Sequence, residues 1–267
     1  FPFIKGLIYK FSTSPNIRWN RSYNYRKQDL NLDNNVKRAT KNLTNFYDWQ
    51  MEHTLNYKKV ININHFFDLT LLYSRNNSSS ESTSANSSLM SSDVLGWNNL
   101  ELGEIQTVGS GGNAVKGVSY MARLNYRWFD RYLATFTVRR DGSSVFSENH
   151  KYATFPSGAL SWIVSEENFM KNLEWLNTMK FRLSYGAVGN QAISPYQSLS
   201  LLGTNRYVFG DNAVSVLSYY PTNMSNSNLK WETTYTANLG LDFELLKNRI
   251  SGSVEWYNMD TKDLLVK

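Results

Sequence analysis

The sequence predicts an all-β fold, an antiparallel, transmembrane, up-and-down β-barrel, and three observations carry that prediction. Polarity alternates residue by residue: Val118, Tyr120, Ala122, Leu124, Tyr126 and Trp128 are apolar, while Ser119, Arg123, Asn125 and Arg127 are polar. A period of two is the mark of a strand. The alternating stretches run about ten residues or more, longer than the usual strand of a soluble sheet and matched to a tilted crossing of a bilayer. Their connections take turns between short and long, as the periplasmic turns and extracellular loops of a barrel do.

Composition agrees with a barrel wall. Hydrophobic residues make up 41% of the 267, and the mean hydropathy is negative, because a barrel needs only every second residue apolar. Aromatic residues reach 15%, with 17 Tyr and 8 Trp, in keeping with amphipathic rings at two membrane interfaces. The absence of cysteine removes thiol catalysis and thiolate metal sites. The net charge of +6 is spread singly over polar strand faces and loops, without the basic stripe that a nucleic-acid backbone requires. Phe1-Pro2-Phe3-Ile4 lacks the features of an export signal, and Leu265-Val266-Lys267 lacks a closing aromatic. Residues 1–267 therefore read as an internal segment of one barrel domain, with its closing strand lying outside it.

In chain order, residues 3–11 read as a first strand, ended by the turn cluster Ser12-Thr13-Ser14-Pro15-Asn16. Residues 17–25 set Ile17, Trp19, Tyr23 and Tyr25 against Arg18, Asn20, Ser22 and Asn24, and the polar residues 26–44 read as a loop. A third strand over 46–57 carries Trp49, His53 and Leu55 on one side. After a short connection at 58–62, a fourth over 63–74 carries Phe67, Leu69, Leu71 and Tyr73. Residues 76–114 are serine-rich and hold Gly109-Ser110-Gly111-Gly112, which predicts a long exposed loop. The central hairpin turns at Phe129-Asp130 and returns through Tyr132, Ala134, Phe136 and Val138. Asp141-Gly142 reads as a turn pair at the start of a compact loop ending at 151. Residues 152–165 form a strand, and Phe169, Leu173 and Leu176 predict a short helical turn within 166–177. Met179, Phe181, Leu183 and Tyr185 mark the next strand. A long connection over 189–230 has strand-like stretches near 196–202 and 214–220. The longest alternation runs from Trp231 to Leu245, and the turn Lys247-Asn248 leads into a last strand over 250–259. Ten strands result.

Several short motifs add a family resemblance. Arg139-Arg140-Asp141-Gly142-Ser143-Ser144 with Phe146, then Phe155-Pro156-Ser157 and Trp162, then Lys180-Phe181-Arg182, Ser184-Tyr185-Gly186 and Gly189-Asn190-Gln191, resemble the barrel of the SusC/RagA family of TonB-dependent transporters of Bacteroidetes. Trp231-Glu232-Thr233 and Asn238-Leu239-Gly240-Leu241-Asp242-Phe243 resemble that family's next hairpin. The resemblance implies a plugged barrel of about twenty-two strands in the outer membrane, importing an oligomeric nutrient such as an oligosaccharide or peptide. It implies energy from TonB, reached through the N-terminal region, and a SusD-like surface lipoprotein as lid. A passive porin shares every barrel feature here, and a soluble β-sandwich binding module is the third reading, opposed by strand length and connection parity.

No enzyme signature emerges and no cofactor is expected. His53, His65 and His150 are far apart and outside metal-ligand spacing. There is no nucleophile elbow, phosphate loop or dinucleotide fingerprint. Arg123, Arg139, Asp141, Arg182 and Asp242 are the lumen-facing candidates. Tyr120, Leu124, Ala134, Phe136, Leu183, Leu239 and Phe243 should face lipid. Tyr196, Tyr207, Tyr219 and Tyr220 are candidates for recognition by the long connection, through packing on a lid or stacking on a sugar.

Overall fold

The computed structural model describes residues 4–27, 36–209 and 214–265. Phe3 of the expected first strand and residues 28–35 of the expected 26–44 loop lie outside the described residues. The strands are β1 (Leu7–Arg26), β2 (Arg38–Ile61), β3 (His65–Met90), β4 (Gly103–Trp128), β5 (Tyr132–Ser143), β6 (Tyr152–Ile163), β7 (Leu176–Asn190), β8 (Leu202–Phe209), β9 (Val214–Pro221), β10 (Glu232–Leu245) and β11 (Ile250–Lys262). Nine of them form one sheet in the order β1-β2-β3-β4-β5-β6-β7-β10-β11, and β8 pairs with β9 as a separate ribbon. Each strand of the large sheet lies beside its predecessor there, the order of an up-and-down barrel wall.

The described chain falls into two compact units, one of Phe1–Ser12, Met51–Arg75 and Gly117–Lys267, the other of Thr13–Gln50 and Asn76–Lys116. In the first, antiparallel register lines up whole rows of like side chains. Tyr126, Ala134, Leu160, Leu183, Leu239 and Trp256 are successive partners across six strands, and Trp128, Tyr132, Trp162, Phe181, Leu241 and Val254 make the next apolar row. Between these rows, on the opposite face, run Arg127, Leu133, Ser161, Arg182, Gly240 and Glu255. All seven residues expected to face lipid lie on the apolar face. Tyr120, Phe136, Leu183 and Leu239 keep half or more of their surface open, while Leu124, Ala134 and Phe243 are half-buried by their neighbours. A layer with one apolar and one polar face suits lipid on one side and water on the other.

The tight turns use left-handed backbone at non-glycine residues. Phe129 and Asp130 have φ of 51° and 57°, and Arg131 N–H closes the turn on Trp128 C=O at 3.1 Å. Positive φ at both central residues matches the twist of the flanking strands. Asn62 and Ile63 do the same between β2 and β3, at 49° and 64°. Between β6 and β7 lies a 3₁₀ turn over Val164–Glu166, then N–H bonds of 3.0 Å from Met170 to Glu167, Leu173 to Met170 and Leu176 to Leu173. The expected helical turn is thus a run of three-residue turns.

Several expected boundaries are corrected. Ser12–Asn16 is no turn but part of β1. Because β1 is an edge of the sheet, Pro15 can sit in it without removing a ladder bond. The two expected strands at 3–11 and 17–25 are therefore one, and the large sheet has nine strands where ten were expected. Residues 76–114 are mostly strand, interrupted at 91–102, where two 3₁₀ turns lie. In that unit Ser82 Oγ–H donates to Gly111 C=O at 3.4 Å, Ser87 Oγ–H to Leu100 C=O at 2.6 Å and Ser91 Oγ–H to Leu102 C=O at 3.1 Å. Serine low complexity misleads here because a ladder is built from backbone, and hydroxyls add bonds where apolar packing is thin. In the same unit Asp93, between β3 and β4, accepts from Tyr25 Oη–H and pairs with Lys37 Nζ at 3.2 Å. The Tyr25 bond, then the lysine, hold its carboxyl below the usual range.

Asp141-Gly142 is likewise not a turn, since β5 runs on to Ser143 and Gly142 pairs with Val118 and Tyr152. Pro156 lies inside β6 opposite Val138, and the ladder from β6 to β7 begins one residue later at Ser157 and Gly186. In the 189–230 connection, β9 meets the expected second stretch, but its partner is Leu202–Phe209 and not 196–202.

Candidate functional site

By the same registers, Arg123, Arg139, Asp141, Arg182 and Asp242 all stand on the polar face. They fall into separate groups. Arg139 Nε–H donates to Asp141 Oδ2 at 2.7 Å and Oδ1 at 2.9 Å, and its Nη2 donates to Ser119 Oγ at 3.1 Å. Residues two apart on a strand share a face, so the pair follows from sequence spacing. Arg123 Nε–H donates to a hydroxyl, Thr137 Oγ1 at 3.1 Å.

Arg182 forms the larger cluster. From β7 its Nε–H and Nη2–H donate to Asp242 of β10 at 2.8 and 2.7 Å, and Nη2 also reaches Glu255 Oε1 of β11 at 2.5 Å. The side chain must cross over β10 to do this. Gly240 stands in the row between Arg182 and Glu255, and a Cβ there would lie 2.9 Å from Arg182 Nη2 and 3.0 Å from its Cζ. A glycine in the longest alternation of the chain was the available signal for that close approach. Glu255 had none, since its part depends on a register two strands away.

At the tight-turn end, Glu167 gathers Tyr132 Oη–H at 2.6 Å, Trp162 Nε1–H at 3.1 Å and Arg131 Nη1–H at 3.1 Å. Those donors, the tyrosine first, hold its carboxyl below the usual range. His53 and His65 join aromatic neighbours, His53 Nδ1 with Tyr9 Oη at 2.6 Å and His65 Nδ1 with Tyr126 Oη at 2.7 Å. No group of three metal-ligating side chains occurs among the described residues.

At the opposite end the chain builds a small core. Val145, Phe146, Phe155, Ala187 and Trp231 are buried. Trp231 lies 4.8 Å from Phe146 and 5.6 Å, edge-on, from Phe155, and its Nε1–H donates to Lys151 C=O at 3.0 Å. Ser147 N–H and Oγ–H both donate to Leu229 C=O, at 3.2 and 3.1 Å. Gly189 makes room for Phe155, whose Cζ would be 2.1 Å from any Cβ added there. This core ties the β5–β6 connection to the end of the 191–231 excursion.

That excursion carries the ribbon of β8 and β9. Gly203 pairs with Tyr220, Thr204 with Tyr219, Arg206 with Leu217 and Tyr207 with Val216. Tyr207 and Tyr220 therefore share one face, and Tyr219 shares the other with Leu217 and Leu202. All five are exposed, as is Tyr196 in the turn before the ribbon. An isolated two-stranded ribbon with apolar residues open on both faces is marginal in water by itself.

This architecture, a meander with one apolar and one ion-paired polar face, defines a wall of an outer-membrane β-barrel. Residues 4–267 match the family described as TonB dependent receptor-like, beta-barrel, and the chain belongs to that family. It is similar to the TonB-dependent receptor P3 of Formosa agariphila, at 40% identity over 217 residues, 80% of this chain and 21% of that protein. It is also similar to the TonB-dependent receptor SusC of Bacteroides thetaiotaomicron, at 46% over 156 residues, 55% of this chain and 15% of that one. In fold it matches the RagAB peptide transporter with a TM-score of 0.87 and 24% identity, over 98% of this chain and 29% of that one. The chain thus spans about a fifth of the length of the curated relatives it matches. These likenesses set it beside SusC and RagAB within the TonB-dependent receptor barrels.

Proposed function

We propose that this segment is part of the wall and outer rim of a TonB-dependent importer that takes up oligosaccharides or peptides beneath a SusD-like lipoprotein lid. The polar face, with Arg123, Arg139, Asp141, Arg182 and Asp242, lines the lumen, and the apolar face meets lipid. A plug domain and a TonB-contacting N-terminal region would belong to the same protein, beyond this sequence.

The observation that carries the proposal is the ribbon of β8 and β9. It stands in the longest connection, on the side opposite the tight turns, and exposes Leu202, Tyr207, Val216, Leu217, Tyr219 and Tyr220. Long loops on that side of a barrel are extracellular, and exposed apolar surface of this kind marks an interaction site. Since Tyr219 and Tyr220 point to opposite faces, one meets the lid and the other the solute path. The test is the full-length transporter without residues 202–221, at matched surface abundance. Loss of lid capture and of uptake supports the reading. Unchanged capture and uptake would place recognition elsewhere, and uptake that persists without TonB would favour a passive porin.

A further inference from the structure

Along β5 the apolar face reads Tyr132, Ala134, Phe136 and Val138, and then Arg140 breaks the alternation. A cation on a lipid-facing position is tolerated near an interface and not at mid-membrane. The eight residue steps from Tyr132 to Arg140 span ~27 Å along a strand, or ~20 Å along the membrane normal at the usual barrel tilt. Tyr132 belongs to the aromatic row at the tight-turn end, so Arg140 emerges near the far edge of an apolar band ~25 Å tall.

Its surroundings suit an anion. The guanidinium Cζ stands over the Tyr152 ring, 5.4 Å from its centroid, and Tyr120 is its partner across the ladder. Both tyrosines are exposed. Asp141 points to the other face and is held by Arg139, and among the described residues Arg140 has no carboxylate partner. Lys262, on the same face of β11, also rests on a ring, that of Tyr235 at 5.5 Å, but has Asp260 at 3.8 Å. Ring support leaves the edge of the guanidinium fork free to bind two phosphate oxygens.

We propose that Arg140, backed by Tyr152 and flanked by Tyr120, binds the headgroup phosphate of an outer-leaflet lipid. The site fastens the barrel at the headgroup level just below the β5–β6 connection.

The test uses the full-length transporter in phosphate-free digalactosyldiacylglycerol vesicles doped with bisphosphorylated lipid A or with the same lipid A after phosphatase treatment. Lipid retained through purification is quantified by mass spectrometry. Wild type should retain the phosphorylated lipid about fivefold better, the worth of one basic residue at a charged surface. Arg140→Gln should bring the ratio to one, and Arg140→Lys should keep part of it. Equal retention of the two lipids by wild type overturns the proposal, and means that Arg140 only reaches headgroup water. Displacement by inorganic phosphate also overturns it, in favour of a free-anion site. If Arg140→Gln fails to assemble, the two-lipid comparison on wild type decides.

Discussion

Removing the Trp231 ring should unfasten the end of this wall opposite the tight turns while leaving its strands paired. Trp231 is 7% exposed, packs on Phe146 and Phe155, and donates its indole N–H to Lys151 C=O at 3.0 Å. Truncating a buried Trp to Ala costs about 3–5 kcal/mol through lost transfer energy and the cavity left behind. Trp231→Phe keeps most of the ring packing and loses the hydrogen bond, a cost of about 1–2 kcal/mol including the orphaned carbonyl. Urea unfolding of the full-length protein in vesicles measures the difference. Hydrogen exchange at residues 144–151 and 202–221 localises it, and exchange there should rise far more than in β5 or β10. A Trp231→Ala protein within about 1 kcal/mol of wild type, with unchanged exchange in both segments, would refute this account of the core.

Gly240→Val should push Arg182 off Asp242 and Glu255, because even a Cβ would lie 2.9 Å from its guanidinium. Its half-open ion pairs predict a loss of about 1–2 kcal/mol, read by urea unfolding and relieved in Gly240→Val, Arg182→Ala. Glu167 has a depressed folded pKa, so its contribution is present above the ordinary glutamate range and lost as pH falls through the folded value. The gap in melting temperature between wild type and Glu167→Gln should therefore close in acid and stay constant from neutral to mildly basic pH. Ile63, at φ 64° and almost wholly exposed, stores left-handed strain of ~1–2 kcal/mol. Ile63→Gly should therefore raise stability slightly, by at most about 1 kcal/mol, in the same urea assay.

The central hairpins were legible because each strand keeps a strict period of two, so the face of Arg123, Arg139 or Leu183 follows from counting. The pair Arg139 and Asp141 was legible for the same reason. What sequence spacing does not carry is lateral register, which brings Glu255 to Arg182 and requires glycine at position 240. Nor does it separate a loop from a strand whose pairing rests on backbone, as with the serines of β3. Pro15 misled for a related reason, since a turn signal is also what an edge strand tolerates. The ribbon of β8 and β9 was half legible. Val214 to Tyr220 alternates enough to read as strand, whereas Tyr196 and its neighbours lie in a turn and the partner begins at Leu202.

The central claim is that one face of this sheet meets lipid and the other water, and the absence of native cysteine in the chain makes it directly measurable. Single cysteines at positions 182–185 and 238–241 of the full-length transporter, spin-labelled in phospholipid vesicles, report accessibility to oxygen, which concentrates in lipid, and to a water-soluble nickel chelate. Labels at 183, 185, 239 and 241 should favour oxygen, and labels at 182, 184, 238 and 240 the chelate, with a period of two along both strands. Uniform accessibility along either strand, or the opposite phase, would contradict the account.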